Sequence, residues 1–169
     1  MLHGTRLHLL LEHLPHWPPG EWPGIAESLL ATGDEPALLA ETETLLAEAT
    51  AVLTCGQLKP WLARSLAEVE VTGPVAALGG RVVHGTVDLL SVTPDKVVVI
   101  DYKSNLGVPA TPDAVPEGIL RQMGAYDAIL SQTFPGRSVE TAILWTRTGL
   151  LMPLPPDIVR AALARTTIP

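Results

Sequence analysis

The sequence predicts a mixed α/β (α+β) fold, with a central mixed β-sheet that contains an antiparallel meander and is flanked by helices. Three observations predict it. Leucines recur at helical spacing through the first third of the chain. The middle third turns to valine-rich runs punctuated by turn residues. A long helical pattern then separates those runs from two further short apolar ones.

Taken in order, residues 4–14 suit a helix, with Leu7, Leu10, Leu11 and Leu14 on one face. Pro15 ends it, and PHWPPGEWPG is a proline-rich loop. A short helix is expected over 24–31. A longer one, about 35–55, can be capped by Asp34 and stopped by Gly56. It carries Leu38, Leu39, Leu45, Leu46 and Val52, and its acids are expected to form a solvated face. Residues 58–65 add a turn of helix. AEVEVTGPVAAL, GRVVHGTVDLLSVT and KVVVIDYKS read as three strands. The TPDK between the last two predicts a tight antiparallel hairpin. After the loop GVPATPDAVPE, a helix of about 117–133 turns Ile119, Leu120, Met123, Tyr126, Ile129 and Leu130 inward. ETAILWT and LLMPL form a strand pair around TRTG, and 156–165 closes as a helix.

The 169 residues suffice for one domain, a helical part over about 1–66 and an α/β core over about 67–169. Hydrophobic residues make up 47%, too many for a disordered chain. No apolar run approaches a membrane span, and LHLLL is broken by charge too soon for a signal peptide. The single cysteine, Cys55, excludes a disulfide framework or a cysteine-ligated metal and fits a reducing cytoplasm. The net charge of −7 argues against a simple basic nucleic-acid binder. It leaves open an enzyme that meets phosphates through metal ions, whose site must itself be acidic. Met1 lies so close to the first helix that a fragment of a longer protein is expected.

The chemistry concentrates in KVVVIDYKSN. Asp101 and Lys103, two apart on a strand, share a face. Alone they read as an exposed salt bridge of little worth. Asp88, however, sits among Val82, Val83, Val87, Leu89 and Leu90, where a carboxylate is costly unless it is paired or binds metal. The TPDK hairpin would make it roughly a diagonal neighbour of Asp101. Two adjacent carboxylates call for a divalent cation, and oxygen ligands favour Mg²⁺, with Mn²⁺ as the alternative. With Lys103 beside them, two acids around such an ion can hydrolyse a phosphodiester.

The ordered set GTRLHLLLEHL, the acid in AEVEV, GTVDLL, VVVIDYKSN and RQMGAY resembles the RecB-like nucleases of the PD-(D/E)xK superfamily. The likeness is greatest to the C-terminal nuclease domain of AddA-type helicase–nucleases that repair double-strand breaks. The resemblance implies a restriction-endonuclease-like fold. It implies that His8, Asp88, Asp101 and the Tyr102 carbonyl hold the metal, that Lys103 is the catalytic lysine, and that Glu68 supports the site. Glu70 competes with Glu68 for that role. Gln122 and Tyr126, four apart on one helical face, match a QxxxY motif and would contact DNA or brace the lysine. His3, His13, His16 and His84 read as ordinary histidines. The implied partners are DNA, helicase domains of the same full-length chain and an AddB-like subunit. Val87 stands where the superfamily is named for proline, and Leu89 where AddA relatives often carry arginine. A degenerate nuclease fold used for docking or DNA gripping, and a stand-alone exonuclease, remain the alternatives.

Overall fold

A computed structural model describes residues 2–32, 36–62 and 64–166. The helical part contains α1 (Leu2–His13), α2 (Trp22–Leu30), α3 (Leu39–Leu53) and the single turn α4 (Lys59–Leu62). The sheet contains β1 (Ser65–Val75), β2 (Arg81–Val92), β3 (Lys96–Lys103), β4 (Ser138–Trp145) and β5 (Leu150–Leu154). Helix α5 (Glu117–Thr133) joins β3 to β4, and α6 (Pro156–Ala164) follows β5.

The strands lie in sequence order, β1 to β5. All neighbours are antiparallel except β3 and β4, which are parallel. Parallel strands need a crossover, and α5 supplies it. Its 17 residues, at about 1.5 Å each, return the chain along the whole of β3. Turn chemistry fixes the β2–β3 hairpin: Thr93 N donates to Lys96 O at 2.8 Å, and Lys96 N to Thr93 Oγ1 at 3.1 Å. That sets Val92 opposite Val97 and Leu89 opposite Ile100. One step further, the register puts Asp88 opposite Asp101, not diagonal to it. A two-residue turn leaves no offset between the strands, so facing positions pair directly.

Both sheet faces are covered. Val87, Val97, Val99 and Ile143 pack with Met123 and Leu130 of α5 and Val159 of α6. Val98, Ile100, Tyr102 and Leu144 pack with Leu7 and Leu10 of α1 and Leu45 and Val52 of α3. The buried positions of β3 therefore run unbroken from Val97 to Tyr102, as expected of a strand covered on both sides.

Helix α3 departs from its sequence reading. Asp34 lies outside the described residues, and the helix begins at Leu39, after Pro36; a proline biases the residue before it away from helix. Leu38 and Leu39 are exposed, at 77% and 65%. Nor do all its acids face solvent. Glu41 pairs with the buried Arg6 of α1, and Glu48 turns toward β4.

Helix α6 braces α5 by close backbone approach. A Cβ on Gly124 would stand 2.4 Å from Val159 O and 3.0 Å from Leu163 Cβ. Gly124→Ala is expected to cost about 1–3 kcal/mol, read as a lower denaturation midpoint with an unchanged m-value.

Candidate active site

Two groups of side chains meet where β2 and β3 part. The β2–β3 pairing ends at Leu89–Ile100. Beyond it, Asp88 is 7% exposed, and its Oδ2 accepts the Tyr102 backbone N–H at 2.5 Å. The side chain thus satisfies a strand donor that a β2 carbonyl would otherwise take. Its Oδ1 lies 3.2 Å from His8 Nδ1. Helix α1 delivers His8, half-buried, because Leu7, Leu10 and Leu11 press its other face into the core. The His8 ring packs edge-on to Tyr102, centroids 5.8 Å apart.

Glu68 completes this first group, with Oε1 4.0 Å from His8 Nδ1. It faces Asp88 between the pairs Ala67–Leu89 and Val69–Val87. Its backbone has φ of 49°, the left-handed region, and no other described non-glycine residue is there. Such a conformation costs roughly 1–3 kcal/mol and persists where the surroundings enforce it. Of the two acids left open by sequence, Glu68 is half-buried beside His8, whereas Glu70 is exposed. Donor atoms of His8, Glu68 and Asp88 all lie within 4.8 Å of one another.

The second group is on the α5 side. Asp101 is 2% exposed. Its Oδ2 lies 2.5 Å from Lys103 Nζ, yet finds no aligned hydrogen-bond donor among the described residues. Gln122 lies between the charges: Nε2 donates to Asp101 Oδ1 at 3.3 Å, and Oε1 accepts from Lys103 Nζ at 3.3 Å. Tyr126 holds Gln122 in turn, accepting from Nε2 at 2.9 Å and donating to Thr86 O at 2.7 Å. This arrangement needs Gly85, since a Cβ there would meet the Tyr126 ring at 2.7 Å.

The charges perturb one another. Burial, then the Asp88 charge, push the Asp101 carboxyl up to about 6, against the pull of Lys103. The hydrogen bond to Asp88 holds His8 above the usual histidine value, while burial opposes it. Burial and then Asp88 raise the Glu68 carboxyl. The Tyr102 phenol is pushed well above the ordinary tyrosine range by burial and the nearby acids. Packed carboxylates that hold on to protons, with a buried oxygen lacking an aligned donor, are what a divalent cation relieves. The donor set therefore fits a metal.

An open cleft of about 590 Å³ leads to the site, lined by His8, Glu68, Tyr102, Lys103, Ser104 and Asn105 among others. The profile of the PD-(D/E)XK nuclease superfamily matches residues 2–153. The chain belongs to that superfamily. Its members are generally metal-dependent nucleases, and the His8–Glu68–Asp88 group lies within the matched region. Comparison with curated proteins finds no match. None of the helices among the described residues is long and apolar enough to cross a membrane.

Thr146 and Glu48 had no signal in the sequence. Thr146, 2% exposed, donates its N–H to Lys103 O at 3.0 Å and its hydroxyl to Glu48 Oε1 at 2.7 Å. Glu48 Oε2 lies 2.9 Å from His3 Nε2. These contacts tie α1, α3 and β4 to the main chain of Lys103. Their partners are 45 and 98 residues apart, so no local pattern announces them.

A carboxyl whose folded pKa exceeds its unfolded value favours the fold fully below the unfolded value and less as pH rises through the folded one. For Asp101 that window runs from 3.8 to about 6. In metal-free protein, the Tm of Asp101→Asn relative to wild type is expected to climb across this window and level off above it. A difference that stays flat with pH would contradict the assignment. Gly85→Ala is expected to displace Tyr126 and free Gln122, lowering turnover about tenfold or more with a Tm loss of a few degrees.

Proposed function

We propose that the chain is a divalent-metal-dependent deoxyribonuclease of exonuclease type that hydrolyses phosphodiester bonds. The observation that carries this reading is the joining of two groups across one strand end: a histidine and two carboxylates on one side of β3, a carboxylate–lysine–glutamine set on the other. His8, Glu68 and Asp88 would hold the ion, with Asp101 and the Tyr102 carbonyl as further ligands, Mg²⁺ being the working ion and Mn²⁺ the substitute. When bound, the ion supplies Lewis-acid charge at the phosphoryl oxygen and a more acidic water. Lys103 places positive charge where the pentavalent phosphorus gathers negative charge, and orients the attacking water. Gln122 bridges the Lys103 ammonium and the Asp101 carboxylate, and Tyr126 fixes Gln122. Burial of Asp101 keeps competing water from the carboxylate.

The place we propose for this activity is double-strand-break repair in the cytoplasm, on single strands fed by helicase domains of the same full-length chain working with an AddB-like subunit. Its support is the resemblance of the five ordered motifs to AddA-type nucleases, and the full-length reading frame is the check. An acidic chain with few cations also suits an enzyme that has its substrate delivered.

Single-stranded DNA incubated with Mg²⁺ or Mn²⁺ is expected to be cut, and Lys103→Ala and Asp88→Ala to lose at least about a hundredfold in rate. Wild-type rates in both variants would sink the mechanism. In thermal-shift titrations Mn²⁺ is expected to act at lower concentration than Mg²⁺, since a histidine ligand favours the transition metal, and Asp88→Ala to abolish both shifts.

A further inference from the structure

Eleven lysines and arginines serve a chain of net charge −7. Six are tied to carboxylates: Arg6, Lys96, Lys103, Arg121, Arg160 and Arg165. A polyanionic substrate therefore meets few cations whose charge is not already offset nearby. Arg147 is one of them, and a hydrogen bond joins it to a residue that lines the cleft. It is exposed in the turn between β4 and β5. Its Nε donates to Ser104 O at 3.1 Å. Ser104 lines the cleft and directly follows Lys103.

The residue before Arg147 is tied down on two sides. The preceding residue, Thr146, is buried and bonded both to the Lys103 carbonyl and to Glu48. A guanidinium has five N–H donors in a fixed fork, and one of them is committed to Ser104 O. The rest of the fork suits two oxygens of one phosphate. The exposed turn thus holds an arginine at a set distance from the Lys103 main chain, without a carboxylate partner among the described residues.

We propose that Arg147 grips a backbone phosphate of the DNA strand next to the one being cut. This rests on the nuclease reading above and adds that the cleft rim recognises the phosphodiester backbone, not the bases. Such a contact sets where the strand lies relative to Lys103, and it is independent of sequence.

Arg137 provides an internal control. Its Nη1 also donates to a carbonyl, Thr93 O at 2.8 Å, and it has no carboxylate partner among the described residues either. It precedes β4, whereas Arg147 follows it. The eight residues of β4, at about 3.3 Å each, put the two arginines roughly 26 Å apart along the strand.

The experiment measures fluorescence anisotropy of a labelled oligothymidylate of about 15 nucleotides, with Ca²⁺ present and within a time in which a gel shows no product. Arg147→Gln is expected to weaken binding about tenfold and to reduce the slope of log Kd against log salt by about 0.7, the loss of one single-strand phosphate contact. Arg147→Lys should keep most of the slope, and Arg137→Gln should keep both slope and affinity. The contact is overturned if Arg147→Gln binds as wild type does, or if Arg137→Gln loses as much. A chain that binds through Arg147 yet fails to cut in either Mg²⁺ or Mn²⁺ keeps this contact and loses the nuclease reading. One that cuts normally while Arg147→Gln binds unchanged does the reverse.

Discussion

The hydrogen bond from the Tyr102 backbone to Asp88, 2.5 Å long, is the interaction on which the rest of the site depends. A strand N–H in the middle of a sheet normally finds a carbonyl on its neighbour. Here it finds a carboxylate, one step beyond the last β2–β3 pair. The exchange keeps a buried acid solvated by the protein and lets the two strands part. Val87 and Leu90, three apart, then lie in the same apolar cluster, so the in–out alternation slips within that span. The slip lets Asp88 reach His8 while Asp101, opposite, faces α5. One irregular step thereby links chemistry on the two faces of the sheet.

The electrostatics follow from this crowding. Burial and then the Asp88 charge raise the cost of ionising Asp101, and Lys103, then His8, stand against it. The scaffold tolerates the conflict because the surrounding elements are held from outside the site. The helical layer grips through Arg6–Glu41 and His3–Glu48. The α5 layer grips through Gly124 and the Asp127–Arg160 pair, whose acid is 3% exposed. A bound cation would replace repulsion by attraction at a place already assembled to receive it.

Much of this was legible in the chain, for reasons that can be named. Helix α5 spans the predicted 117–133 because its apolar period is unbroken and prolines bound the loop before it. The β2–β3 hairpin was readable from TPDK, since a two-residue turn admits little else. The superfamily's motifs singled out Glu68, Asp88 and Asp101, and the fold brings these three acids to one strand end. What stayed hidden depends on contacts between distant segments. No sequence pattern tells that Glu68 would adopt a left-handed backbone and turn to His8, or that the tight donor group would be His8, Glu68 and Asp88, without Asp101. The acids of α3 looked solvated because helical periodicity sees only one helix at a time; Arg6 and Thr146 supply the missing partners.

The connection from Ser104 to Pro116 leaves the sheet directly after Lys103 and reaches α5 just before the turn that carries Gln122. Both of its ends are therefore pinned by the site, while Leu106, two residues after Ser104, is already 86% exposed. Lengthening a loop costs free energy only logarithmically. Insertions or deletions there would leave Lys103 and Gln122 where they are. The mouth of the cleft could thus change shape while the contacts among Asp101, Lys103 and Gln122 behind it stay as they are.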